Sequence, residues 1–142
     1  MGVYEHILVG VDGSDASAEA ATVGGRLAAD LDAKVTAVYV RQLPAVASSP
    51  FGMTMSLGSY WEELERLAAE QAAEALDQTG AWWRFEVRTG DPAVQLELSA
   101  DEHGADLVVV GARGHSVAHR LLLGSVSTRL AHHARRPVLL VR

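Results

Sequence analysis

The chain contains no cysteine. That excludes a disulfide framework, a thiolate nucleophile and a cysteine-ligated metal, and it suits a reducing cytoplasm as the expected location. Positive charge is also scarce, with 12 Lys and Arg against 18 Asp and Glu and a formal net charge of −6. A surface of that sign is not built for broad binding to nucleic acid or to an anionic membrane. Lys34 is the single lysine beside eleven arginines. A phosphoacceptor receiver domain needs a lysine near an acidic cluster, and Lys34 is in the wrong place for one. Long apolar runs are missing as well. The opening MGVYEHILVGVD has no positive leader and its apolar stretch is too short for a signal peptide or a membrane span, so it reads as a first strand. Three signatures are absent: G-x-x-x-x-G-K-[ST], G-x-G-x-x-G and G-x-S-x-G. The P-loop, dinucleotide and serine-hydrolase readings therefore have no support.

Short apolar runs alternate with helical patterns in the rest of the chain. His6–Val11 reads as a buried strand. Ser14 or Asp15 caps a helix whose stripe is Ala20, Val23, Gly24, Leu27, Ala28 and Leu31. Lys34–Val40 is a second strand. A long helix runs from Ser59 to about Gln78, with Leu64, Leu67, Ala68 and Ala75 on one face and Gly80 just past its end. Trp83–Thr89 alternates apolar and charged residues, as an edge strand exposed on one side would. Asp91 and Pro92 open a third helix. Leu107–Val110 and Pro137–Val141 are strands, with a fourth helix from Ser125 to Ala134 between them. Strictly alternating strands and helices call for one α/β domain, a doubly wound sheet of five parallel strands with helices on both faces. The irregular stretch from Arg41 to Gly58 reads equally well as a disordered loop or as a lid over a ligand.

The chemistry gathers in GARGHSVAHRLLLGSVS, Gly111 to Ser127, between the strand DLVVV and the fourth helix. Amides at such a junction lack intrahelical partners, and the helix dipole adds partial positive charge, so the junction suits an anion and phosphate in particular. Gly111, Gly114 and Gly124 let a phosphate approach the main chain. Ser125 at the helix start can cap the helix or bond a phosphate oxygen. Arg113, His115, His119 and Arg120 add basic character, Arg113 with most effect because it lies between two glycines. If the first and fourth strands are neighbours, Asp12 faces the same crevice. Taken singly, the glycines are also ordinary turn residues, and Asp12 is also an ordinary turn former after a strand. Arg135 and Arg136 read as supports for the C-terminus of the fourth helix. No clustered metal motif is visible.

With ILVGVDGSDAS, VTAVYV, ADLVVVGARG and GSVSTRLAHHARRPVLLVR, the chain resembles the universal stress proteins over nearly its whole length. Gly111, Gly114, Gly124 and Ser125 match the G-x2-G-x9-G-[ST] pattern of the family's ATP-binding branch. The resemblance implies strand order 3-2-1-4-5 with ATP in the crevice between strands 1 and 4. It implies Gly10 under the base, Asp12 at the ribose or the metal–phosphate region, and a main-chain contact from Val40 to adenine. Val110, Gly111, Arg113 and Gly114 would line the ribose and the first two phosphates. Gly124, Ser125, Val126 and Ser127 would hold the phosphate tail. Mg2+ would arrive with the phosphates, which need few protein ligands for it. The apolar last strand, if at an edge, would pair with a second copy in a homodimer. The implied role is a nucleotide-dependent stress sensor or switch acting on an unidentified protein partner. No general base is evident, which leaves at most slow ATP hydrolysis or autophosphorylation. The reading from a different class is a dimerisation module with no nucleotide role.

Overall fold

The protein, seen in a computed structural model, is described over residues 2–42, 54–112 and 124–142. Its elements run β1 (His6–Val11), α1 (Asp15–Leu31), β2 (Lys34–Arg41), α2 (Thr54–Asp77), β3 (Trp83–Thr89), α3 (Pro92–His103), β4 (Leu107–Gly111), α4 (Ser125–His133) and β5 (Val138–Val141). The strands form one five-stranded sheet in the order β3-β2-β1-β4-β5, and every pairing is parallel. The expected fold class and strand order are both observed. Among the described residues, no helix is long and apolar enough to cross a membrane.

β1 is the central strand and carries the two-faced core. Successive side chains point to opposite faces of a strand. Ile7, Val9 and Val11 join the cluster beneath α1 and α2. Leu8 joins the cluster beneath α3 and α4, with Val38, Leu96, Val108, Val110 and Leu130. A strand covered on both faces has no polar side to show, which is why HILVGV reads as a continuous apolar run.

α1 approaches the sheet through small residues. Ala20, Ala21, Gly24, Gly25 and Ala28 are all buried along it, whereas Leu27 and Leu31 are partly buried at the margin of the cluster. The expected stripe therefore lies on the right side of the helix, with its buried centre one position away. α2 starts at Thr54, earlier than Ser59. Its buried line is Ala68, Ala72 and Leu76, while Leu67 is 45% exposed. That line repeats every four residues, and one such line suffices because α2 covers only the β2–β3 end of the sheet.

The two sheet edges differ. On one face of β3, Trp83, Phe85 and Val87 pack against the core. On the other, Arg88 pairs with Glu86 and with Glu102 of α3, and His103 contacts Glu86. Charge along an edge strand discourages pairing with another chain. β5, the opposite edge, is VLLV and half-buried throughout. Arg136 pairs with Asp101 and Glu97 of α3 and donates to the Ala105 carbonyl. It thus joins the entry to β5 to α3, in place of the expected support for the α4 C-terminus.

Candidate functional site

All five strands point the same way, so the carboxyl ends of β1, β2 and β4 lie along one edge of the sheet, and β1 sits between β2 and β4. Ligands of open α/β sheets bind at this carboxyl edge, where the chain order reverses. Here the reversal is between β1 and β4. Gly10, near the end of β1, lies opposite Val38 of β2. A Cβ at Gly10 would stand 3.0 Å from Val110 Cγ1 and 3.1 Å from Leu96 Cδ1. Val110 is 4% exposed, and both Val110 and Val40 pack into the α3–α4 cluster. Any contact from Val110 to a ligand would fall to the main chain, whereas Val40 is only half-buried.

Asp12 follows β1 directly. Its Oδ1 accepts from the Ser14 amide at 2.9 Å and from the Ser14 hydroxyl at 2.5 Å. Ser14 in turn caps α1 by accepting from the Ser17 amide. Part of the Asp12 carboxylate therefore shapes the turn into α1, the ordinary role for Asp after a strand. The turn is held further by Gln71 of α2, which donates to the Gly13 carbonyl at 3.1 Å.

Gly111 ends β4. An added Cβ would lie 2.8 Å from the C, Cβ and O atoms of Ala16. The requirement for glycine here comes from the first turn of α1 crossing close above, a reason the sequence pattern does not reveal. Ala112 follows, 1% exposed, with its amide donating to Val141 of β5 at 2.7 Å. The Gly124 amide donates to the Ala112 carbonyl at 2.6 Å, so the end of β4 and the start of α4 meet. Arg113, Gly114, His115, His119 and Arg120, expected between them, lie outside the described residues.

The N-cap of α4 is Gly124, with no side-chain cap bond; Ser125 is the first helical residue. Ser125 is exposed and does not cap the helix through its hydroxyl. The contrast with the other described caps is direct. Ser14 caps α1 and Asp91 caps α3, each through a side-chain oxygen accepting a backbone amide. At α4 the amides of Ser125, Val126 and Ser127 precede the first intrahelical bond, from Thr128 to Gly124. They carry the positive end of the helix dipole, so this end can hold an anion. Ser127 is buried, with its hydroxyl donating towards the Ala112 and Gly124 carbonyls.

The universal stress protein family model matches residues 3–142. The chain belongs to that family. It is 37% identical to universal stress protein MJ0531 of Methanocaldococcus jannaschii over 147 aligned residues, covering 99% of this chain and 83% of that one. It is 30% identical to universal stress protein YxiE of Bacillus subtilis, covering 99% of this chain and all of that one, 100%. Among solved structures, a universal stress protein in complex with cAMP superposes with a TM-score of 0.77 at 29% identity, over 99% of this chain and 98% of that one. Universal stress protein UspA from Lactobacillus plantarum superposes with a TM-score of 0.73 at 30% identity, over 98% of each chain.

One cluster in this universal stress protein is absent from the sequence reading. Glu86, Glu102 and His103 bring potential ligand atoms within 4.8 Å of one another. They come from β3 and from the end of α3, so no local spacing shows them together. Arg88 bridges both carboxylates, so a cation of the protein already stands between them. Burial alone would raise the Glu86 carboxyl, but the bonds from Arg88 and His103 hold it below the ordinary carboxylate range.

Proposed function

We propose that this universal stress protein binds ATP at the carboxyl edge of β1 and β4 and acts as a nucleotide-dependent stress-response sensor or switch. The observation that carries the reading is the N-terminus of α4, whose N-cap is a glycine that gives it no side-chain cap and which stands at the end of β4, the strand paired with β1. Its three leading amides supply donors for a phosphate tail. Gly10, Asp12, Val40, Val110 and Gly111 line the same edge and would meet the base and ribose. The structural similarity to a family member in complex with cAMP supports an adenine nucleotide as the ligand. Mg2+ would be held mainly by the phosphates, since among the described residues this edge offers it little beyond Asp12, whose Oδ1 already accepts from Ser14. The apolar β5 edge, against the charged β3 edge, favours a homodimer through β5 and gives the switch a surface to alter.

Calorimetric titration with ATP, ADP, AMP and adenosine tests this, on the native chain and on Gly124→Asp. Gly124 has φ −65° and ψ 164°, which aspartate adopts readily. An aspartate there would accept the leading amides as a cap and repel phosphate. ATP affinity should fall at least about tenfold, corresponding to roughly 1.4 kcal/mol, while adenosine is little changed. Equal ATP affinity in the variant, or no nucleotide binding by the native chain, would overturn the assignment and leave the dimerisation module as the reading.

A further inference from the structure

Ser127 stands among the residues that would grip a phosphate tail, yet its side chain is turned to another task. It is 1% exposed. Its Oγ lies 2.9 Å from the Ala112 carbonyl oxygen and 3.0 Å from that of Gly124. A serine hydroxyl has one proton to donate. Both of these neighbours are acceptors, so the proton is held by the main chain and cannot at the same time serve a phosphate oxygen. Ala112 is a firm anchor for it. Its amide is bonded to Val141 of β5, and its carbonyl also receives the Gly124 amide. The Gly124 carbonyl in turn accepts the first intrahelical bond of α4, from Thr128 at 2.9 Å.

We infer that the Ser127 hydroxyl is a clasp that seats the start of α4 on the end of β4 and thereby aims the amides of Ser125, Val126 and Ser127. It is a positioning residue, and its side chain is not a phosphate ligand. Several amides converging on one anion lose strength together when the helix end shifts, because hydrogen bonds weaken steeply with misalignment. The base and ribose would meet the ends of β1, β2 and β4; Val110 and Gly111 of β4 come before the clasp and are paired with Leu140 and Val141 of β5, so its loss leaves them in place. The functional half of this inference rests on the nucleotide reading above; the clasp itself belongs to the ligand-free protein.

The test compares the native full chain with Ser127→Ala and Ser127→Thr. In ligand-free protein, hydrogen exchange of the Gly124 amide is followed by NMR, with the Val109 amide in β4 as the internal reference for global opening. Calorimetry then gives Kd for ATP and for adenosine. In Ser127→Ala, Gly124 should exchange about tenfold faster relative to Val109, ATP should bind about tenfold more weakly, and adenosine should stay within about twofold. Ser127→Thr keeps the hydroxyl and should restore both quantities. Unchanged Gly124 exchange with weakened ATP binding would make the hydroxyl a direct ligand and overturn the clasp. Equal losses for ATP and adenosine, or equal acceleration at Gly124 and Val109, would overturn it as general damage to the fold. If the native chain binds no nucleotide, the functional reading falls, while the exchange at Gly124 still decides the clasp.

Discussion

Gly111→Ala separates two reasons for a glycine at the end of β4. The added Cβ would lie 2.8 Å from three atoms of Ala16, two of them main chain. Side-chain rotation offers no relief, because a carbonyl carbon and its oxygen move only with the helix. The first turn of α1 is held in place by its Ser14 cap and by Gln71 on Gly13. An ordinary contact begins near 3.4 Å, so β4 and α1 must separate by several tenths of an ångström in a packed region. Overpacking of this kind costs about 1–3 kcal/mol. Alanine also restricts the unfolded chain, which offsets about 0.4–1 kcal/mol. The net expectation is destabilisation by roughly 1–2 kcal/mol, with the melting temperature lowered by roughly 3–10 °C for a chain of this size. Urea unfolding at constant m-value measures the first quantity and a thermal scan the second. If Gly111→Ala unfolded at the native midpoint and lost only ATP binding, the glycine would be serving ligand approach, and the packing argument would be refuted.

Gly58→Ala should act in the opposite direction. Gly58 lies within α2 with nothing within 4 Å of an added Cβ, so alanine should stabilise by about 0.5–1 kcal/mol, read as a raised urea midpoint. Leu76 is fully buried and Leu67 is 45% exposed; Leu76→Ala should cost about 2–5 kcal/mol, while Leu67→Ala should cost well under half of that. A reversal of that order in urea unfolding would mean α2 is rotated on the sheet. His6 should make stability pH-dependent. Burial lowers its pKa from 6.5; its Nδ1 donates to the His103 carbonyl and its Nε2 accepts from the Thr36 hydroxyl, and Lys34, Arg84 and His103 all oppose a positive charge there. The unfolded chain then takes up a proton that the folded protein resists, so stability is full above about pH 6.5 and declines as the pH falls from there towards the lowered folded value. Urea unfolding between pH 7.5 and 5.5 should show a smaller decline in His6→Gln, and equal declines would exclude His6 as the source.

Much of the architecture is written locally. Hydrophobic period distinguishes strands from helices, and a buried parallel strand has to be apolar on both faces, so HILVGV and LVVV identify themselves. Serine at position 14 and Asp91-Pro92 mark two helix starts because capping involves only neighbours in sequence. Glycine and serine at positions 124 and 125 likewise place the start of α4, although the cap residue is the glycine. The start of α2 was less legible than its end: the helix begins at Thr54, ahead of the expected Ser59, and ends at Asp77, beside the expected Gln78.

What surrounds Gly111, Ser127 and Arg136 was decided only in three dimensions. Gly111 reads as room for a phosphate, but Ala16, far away in the chain, is what crowds it. Ser127 reads as a phosphate donor, but its proton is directed to carbonyls at both ends of the β4–α4 connection. Arg136 reads as a helix-end support, but Asp101 and Glu97 claim it. The sequence by itself determined which segments are strands and helices, because periodicity and capping depend on neighbours a few residues away. Only the tertiary structure decided which groups meet, because contact between distant segments follows from how layers pack and from which donor finds an acceptor there, and no local pattern encodes that.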